Sequence, residues 1–126
     1  MTPPNPANKE SSYVPVWLVC DGRVLSSAQL AVTRRDRRIG LRNTTPDHEP
    51  LVLDNCRWVH SLGMKYQLDI AFLNYKKEVI SIRRLRPWRI DAPMRGATQV
   101  IEAPSGAFER WALRVGNVIE VRHVEQ

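Results

Sequence analysis

A chain of 126 residues, 43% hydrophobic and 25% charged, fits one soluble domain with a single core. Its apolar runs are far shorter than a membrane span, and its N-terminus (MTPPNPANKESS) has no apolar stretch like that of a signal peptide. We therefore expect a cytoplasmic protein with no membrane partner. The formal net charge of +6 is concentrated in two places. Residues 33–38 (TRRDRR) carry four Arg against one Asp, and residues 83–95 (RRLRPWRIDAPMR) carry five Arg against Asp91. Such surplus attracts anionic partners whatever the fold, although a solvated basic face is the simpler reading. Two cysteines make no disulfide framework.

Residues 1–13, rich in Pro, Asn and Ser, read as a disordered tail, and residues 14–126 as one domain. Residues 14–20 form an apolar strand that ends at Asp21-Gly22, a two-residue turn signal, so Arg23-Val24-Leu25 returns as the second arm of a hairpin. Cys20 is expected as a buried thiol. Ser26 or Ser27 is placed to N-cap a helix over residues 28–41, the main helix expected in the chain. The polar, Pro-containing segment 43–50 is a loop. Short strands follow at 51–53, 68–73, 78–85, 98–103 and 118–124, with residues 57–61 extended. Turns fall at Asp54-Asn55, Gly63, residues 74–77, Pro104-Ser105-Gly106 and Gly116-Asn117. A short helical segment is expected in AFERWALR. Many short strands at this spacing predict an all-β or mainly β domain, a compact sandwich or barrel with one main helix packed on it.

The chemistry-bearing residues cluster between Cys56 and Asp69. Cys56 and His60 are four apart and share one side of an extended segment, and a turn at Gly63 would bring Asp69 close. Cys, His and Asp ligate divalent metals, and a Cys–His pair serves nucleophilic catalysis. Against this, a zinc site needs a third or fourth ligand and a nucleophile needs an oxyanion hole, and no motif announces either. The plainer reading has Cys56 buried, His60 bonded to a loop carbonyl and Asp69 capping a turn. Met64 and Trp58 read as core or rim packing. Trp88, among Arg84, Arg86 and Arg89, is either a stacking platform beside phosphate-binding cations or an aromatic cover on a sheet edge. Lys76 and Lys77 read as a charged hairpin tip.

Several spaced segments carry a family likeness. They are Ala31, Thr33, Arg38, Gly40 and Leu41, then QLDIAFLN (67–74), a strand ending in EVISI, VIEAPSG (100–106) and RVGNVIEV (114–121). With these the chain resembles, over about residues 28–121, the widespread bacterial and archaeal domain of unknown function numbered 192. Much of that family has F-W-M-K-N-T before P-L-D-I. Here Val59-His60-Ser61-Leu62-Gly63-Met64 occupies that segment, and Gln67 stands in the proline position. This resembles a Val-His-x-x-Gly-Met branch commonly preceded by Cys, as by Cys56. The family usually has Gly-Asp where this chain has Gly116-Asn117. The resemblance implies a compact, mostly β fold with one helix and supplies no reaction, cofactor or ligand.

The sequence thus reads as a monomeric or dimeric, non-enzymatic binding or accessory module that requires no cofactor. Its cleft is expected between the Cys56–Asp69 segment and the 83–95 stretch, open to an anionic ligand. The candidate ligand-binding residues are Cys56, His60, Met64, Asp69, Arg84, Arg86, Trp88 and Arg89. One alternative is a metal-dependent or thiol enzyme centred on Cys56, His60 and Asp69. The other is a nucleic-acid-binding protein using residues 34–38 and 83–95.

Overall fold

The computed structural model describes residues 13–31 and 48–124. Seven strands form one mixed sheet, in the order β5-β4-β6-β3-β2-β1-β7. They are β1 (Tyr13–Cys20), β2 (Arg23–Ala31), β3 (Leu51–Asp54), β4 (Leu68–Leu73), β5 (Val79–Leu85), β6 (Gln99–Pro104) and β7 (Glu120–His123). The described residues contain one short helix, α1 (Ala107–Arg110). Tyr13, placed in the expected tail, belongs to β1; residues 1–12 lie outside the described residues.

The β1–β2 hairpin forms as its turn residues require. Asp21 and Gly22 both adopt positive φ, 51° and 77°, the geometry of a tight turn matched to strand twist. The structure corrects the expected helix over 28–41 at its start. Ser26 and Ser27 lie within β2 and cap nothing, and residues 28–31 are strand. Tertiary pairing overrides a weak local preference here. Along β2, Tyr13 to Leu18 of β1 pair with Ala31 back to Ser26, while Gln29, Leu30 and Ala31 pair in parallel with Leu51, Val52 and Leu53 of β3. Residues 32–41 of that expected helix, and the basic run 33–38, lie outside the described residues.

Strand β4 is central and buried at all six positions, between β5 and β6. Side chains alternate across a strand, so β4 feeds two cores. Leu68, Ile70 and Phe72 join one, with Leu51, Leu53, Val59, Met64 and Val100. Ala71 and Leu73 join the other, with Leu18, Leu30, Ile101, Phe108, Trp111 and Ile119. The sheet curls without closing. Its two edges touch at one corner through the Glu78–Val118 bridge, where Val79 N–H donates to the Asn117 carbonyl (2.8 Å) and Ile119 N–H to the Lys77 carbonyl (2.9 Å). The mainly β architecture therefore stands as an open, curled sheet covered on both faces. No described helix is long and apolar enough to cross a membrane.

Candidate functional site

The expected site residues fall in two separate places. The first is built on Asp69. In β4 it is the one charged residue, and it faces the same side as Ala71 and Leu73. A buried carboxylate must be fully bonded to be tolerated. Asp69 Oδ2 accepts from the backbone N–H groups of Gly106 (2.9 Å) and Phe108 (3.2 Å), fixing the turn that opens α1. Gly106 sits at φ 94°, which glycine adopts without strain. Oδ1 accepts from Arg84 Nε at 3.4 Å, across the in-register β4–β5 pair. The expected turn-capping role of Asp69 is what its contacts describe.

Beside this pair lies an open groove of about 470 Å³, within the size range of small-ligand sites. Arg84 and Arg114 line it with Ile82, Phe108 and Leu113. The Arg114 side chain has no hydrogen-bond or ion-pair partner among the described residues, and Arg84 uses only Nε. Each guanidinium therefore keeps donors available, in a fork suited to a carboxylate or phosphate.

The second place is a clasp between two loops, organised by Ser61, which is fully buried. Its hydroxyl donates to the Arg86 carbonyl and accepts from Arg89 N–H (2.8 Å). Its own N–H donates to the Arg89 carbonyl (2.7 Å), and its carbonyl accepts from Trp88 N–H (2.9 Å). His60 bridges Ile90, Asp91 N–H donates to the Val59 carbonyl (3.1 Å), and Met94 N–H donates to the Arg57 carbonyl (2.7 Å). The clasp holds Trp88 at φ 60°, a left-handed conformation costing a bulky residue on the order of 1–3 kcal/mol.

The Cys56–His60–Asp69 centre is not assembled. Cys56 packs against the core of Leu68, Ile70 and Phe72, and Asp69 points to the opposite face of that sheet. The Cys56 thiol donates to the Trp58 carbonyl (3.1 Å), and His60 Nδ1 accepts from Leu62 N–H (3.2 Å). The His60 ring lies against Trp58, with centroids 5.7 Å apart. Met64 is core, as expected of a packing residue. No group of three or more His, Cys, Asp or Glu able to hold a metal occurs among the described residues. Of the eight candidates, Asp69 and Arg84 meet at the groove, while His60, Arg86, Trp88 and Arg89 belong to the clasp.

Comparison with known proteins adds the family. The sequence model of DUF192 (Uncharacterized ACR) matches residues 17–121. The chain belongs to that family. A UPF0127 protein of Pyrococcus furiosus is 40% identical over 62 residues, covering 49% of this chain and 53% of its own length. One from Thermococcus sibiricus is 34% identical over 62 residues, covering 49% of this chain and 40% of its own length. The chain thus spans about half the length of the curated relatives it matches. A solved structure of a protein of unknown function from Novosphingobium aromaticivorans superposes with a TM-score of 0.68 at 23% identity, over 86% of this chain and 84% of that one. Another, from Sinorhizobium meliloti, gives 0.68 at 22% identity, over 88% and 95%. These structural likenesses establish a shared fold.

Three residues of this DUF192 chain escaped sequence reasoning. Phe108, whose N–H is held by Asp69, and Arg114 both line the groove. Glu102 is the third. It is 5% exposed and sits in β6 with Leu51 and Ile70 as in-register neighbours, both in the apolar core. It has no hydrogen-bond or ion-pair partner among the described residues. Burial alone pushes its carboxyl up to about 8.

Proposed function

We propose that this DUF192 chain is a non-enzymatic binding module whose groove beside Asp69 takes a small organic anion. The ligand class is a carboxylate or phosphate monoester with a short apolar body. One observation carries the reading: Arg84 is oriented at the groove by a buried carboxylate that two backbone N–H groups fix in turn. Such second-layer support lowers the ordering cost of binding. Arg114 adds a second guanidinium, while Ile82, Phe108 and Leu113 offer apolar contact to the body of the ligand. The rival enzyme would need Cys56, His60 and Asp69 within about 3–4 Å of a common point. The opposite facing of Asp69 and Cys56 supports the binding reading over it.

The test is calorimetric titration at low salt with inorganic phosphate, acetate, benzoate and phenyl phosphate. Phenyl phosphate should bind more tightly than phosphate, and benzoate more tightly than acetate, because of the apolar wall. Arg84→Ala and Arg114→Ala should each weaken binding about tenfold or more, in line with a lost charge-assisted hydrogen bond. Arg122→Ala, on β7 and paired with Glu120, should leave it unchanged. Equal binding by all three variants, or none by the parent protein, overturns the proposal.

A further inference from the structure

The clasp is independent of the groove and presents a different kind of surface. Residues 57–62 and 88–92 run antiparallel around the His60–Ile90 bridge. Alternation along the first arm turns Val59 and Ser61 inward, where both are buried. Trp58, His60 and Leu62 then face outward, beside Ile90 and Trp88 of the second arm. Trp58 is 46% exposed, Trp88 63% and Ile90 67%. The Ser61–Arg89 and His60–Ile90 pairings put Leu62 opposite Trp88, so the two indoles stand toward opposite ends of this ribbon.

The rim of the ribbon is cationic. The side chains of Arg57, Arg86, Arg89 and Arg95 are exposed and have no hydrogen-bond or ion-pair partner among the described residues. Asp91 is the one acid in the two arms, and Arg83 already holds it at 2.7 Å. A second copy of this chain would bring like charges together across the face, which disfavours self-association.

We propose that the Ser61-clasped ribbon docks single-stranded nucleic acid. Trp58 and Trp88 are its stacking platforms, and the four arginines face the phosphates. Bases stack on exposed aromatic faces whatever their sequence, and guanidinium groups track the backbone between them. The left-handed backbone at Trp88, enforced by bonds to Ser61, holds one platform away from the core before any ligand arrives. An acidic peptide would use the arginines but would have no comparable use for two separated indole faces. A membrane surface would favour contiguous aliphatic residues, whereas here His60 lies between Trp58 and Leu62.

The test is quenching of tryptophan fluorescence by a thymidine oligomer of about twelve nucleotides, within the range of single-strand site sizes. Three controls accompany it: inorganic polyphosphate, an abasic strand of the same length, and vesicles of phosphatidylglycerol. The thymidine strand should bind best. With four arginines engaged, log K should fall against log salt with a slope of about −3. Trp58→Ala and Trp88→Ala should each weaken binding roughly tenfold and leave the slope unaltered. Replacing Arg86 and Arg89 together by Ala should make the slope shallower by about 1.4. Both tryptophans are on the surface, so circular dichroism of the variants should match the parent. The proposal is overturned by equally tight binding of polyphosphate or the abasic strand, by tryptophan variants that bind like the parent, by vesicle binding without strand binding, or by no binding at low salt.

Discussion

Glu102 makes a sharp stability prediction. The residue is buried, and its in-register neighbours Leu51 and Ile70 belong to the apolar core that also holds Val59 and Met64. The nearest polar residues in the same cross-strand row are already engaged, Arg83 with Asp91 and Gln29 with Glu49. Among the described residues no hydrogen bond or ion pair stabilises the ionised form. The folded protein holds the proton up to about 8, while the unfolded chain releases it near 4.5. Between those values the folded state carries one proton more than the unfolded state, so stability falls as pH rises. It is fully present below about 4.5 and lost progressively up to about 8. At 1.36 kcal/mol per unit, the interval corresponds to roughly 5 kcal/mol. That figure is an upper bound, because local opening that wets the carboxyl limits the cost. The assay is urea denaturation at pH 5, 6, 7 and 8, comparing the parent with Glu102→Gln. Gln is a neutral isostere, so the two should agree within about 1 kcal/mol at pH 5. At pH 8 the variant should be more stable by about 3–5 kcal/mol. Other titrating groups are common to both proteins and cancel in the difference. Parallel curves, or a parent that gains on the variant as pH rises, would refute the reasoning.

Three further outcomes are expected. Asp69→Ala orphans the Gly106 and Phe108 amides and should cost about 2–4 kcal/mol in calorimetric stability. Ser61→Ala removes the hydroxyl that joins Arg86 to Arg89 and should cost about 1–2 kcal/mol, with faster hydrogen exchange at the Trp88 and Arg89 amides than in β4. Phe72→Ala empties a fully buried position in central β4 and should cost about 3–5 kcal/mol in urea unfolding.

The strands were legible because their signals are local. Asp21-Gly22 dictates its hairpin, and the apolar run 68–73 appears as β4 with the expected ends. What failed was non-local. Ser26 and Ser27 look like helix caps only until β1 and β3 claim the flanking backbone of β2. Spacing put Cys56, His60 and Asp69 together, yet β4 alternation sends Asp69 to the far face. The strand expected at 98–103 is there as β6, but a strand pattern alone does not say that both faces are covered, so it gave no hint of a buried acid. The clasp was half legible. The two segments do meet, but through backbone bonds to Ser61, whose side chain carries no distinctive pattern.

The two acids buried in this sheet show how one fold treats the same chemistry differently. Asp69 and Glu102 lie on adjacent strands and face opposite sides. Asp69 gains two amides and a guanidinium, and through them fixes a turn and orients Arg84. Its charge is therefore structural, and its loss should be felt in both the groove and the stability. Glu102 gains nothing comparable among the described residues, so burial raises its carboxyl to about 8 and favours the neutral form. An apolar residue of similar volume would pack there at no electrostatic cost. The stability profile of Glu102→Gln therefore also measures what the fold gives up by keeping an acid at that position. A large gain at pH 8 would give that cost directly, as the free energy released when the titrating group is replaced by a neutral one of the same shape.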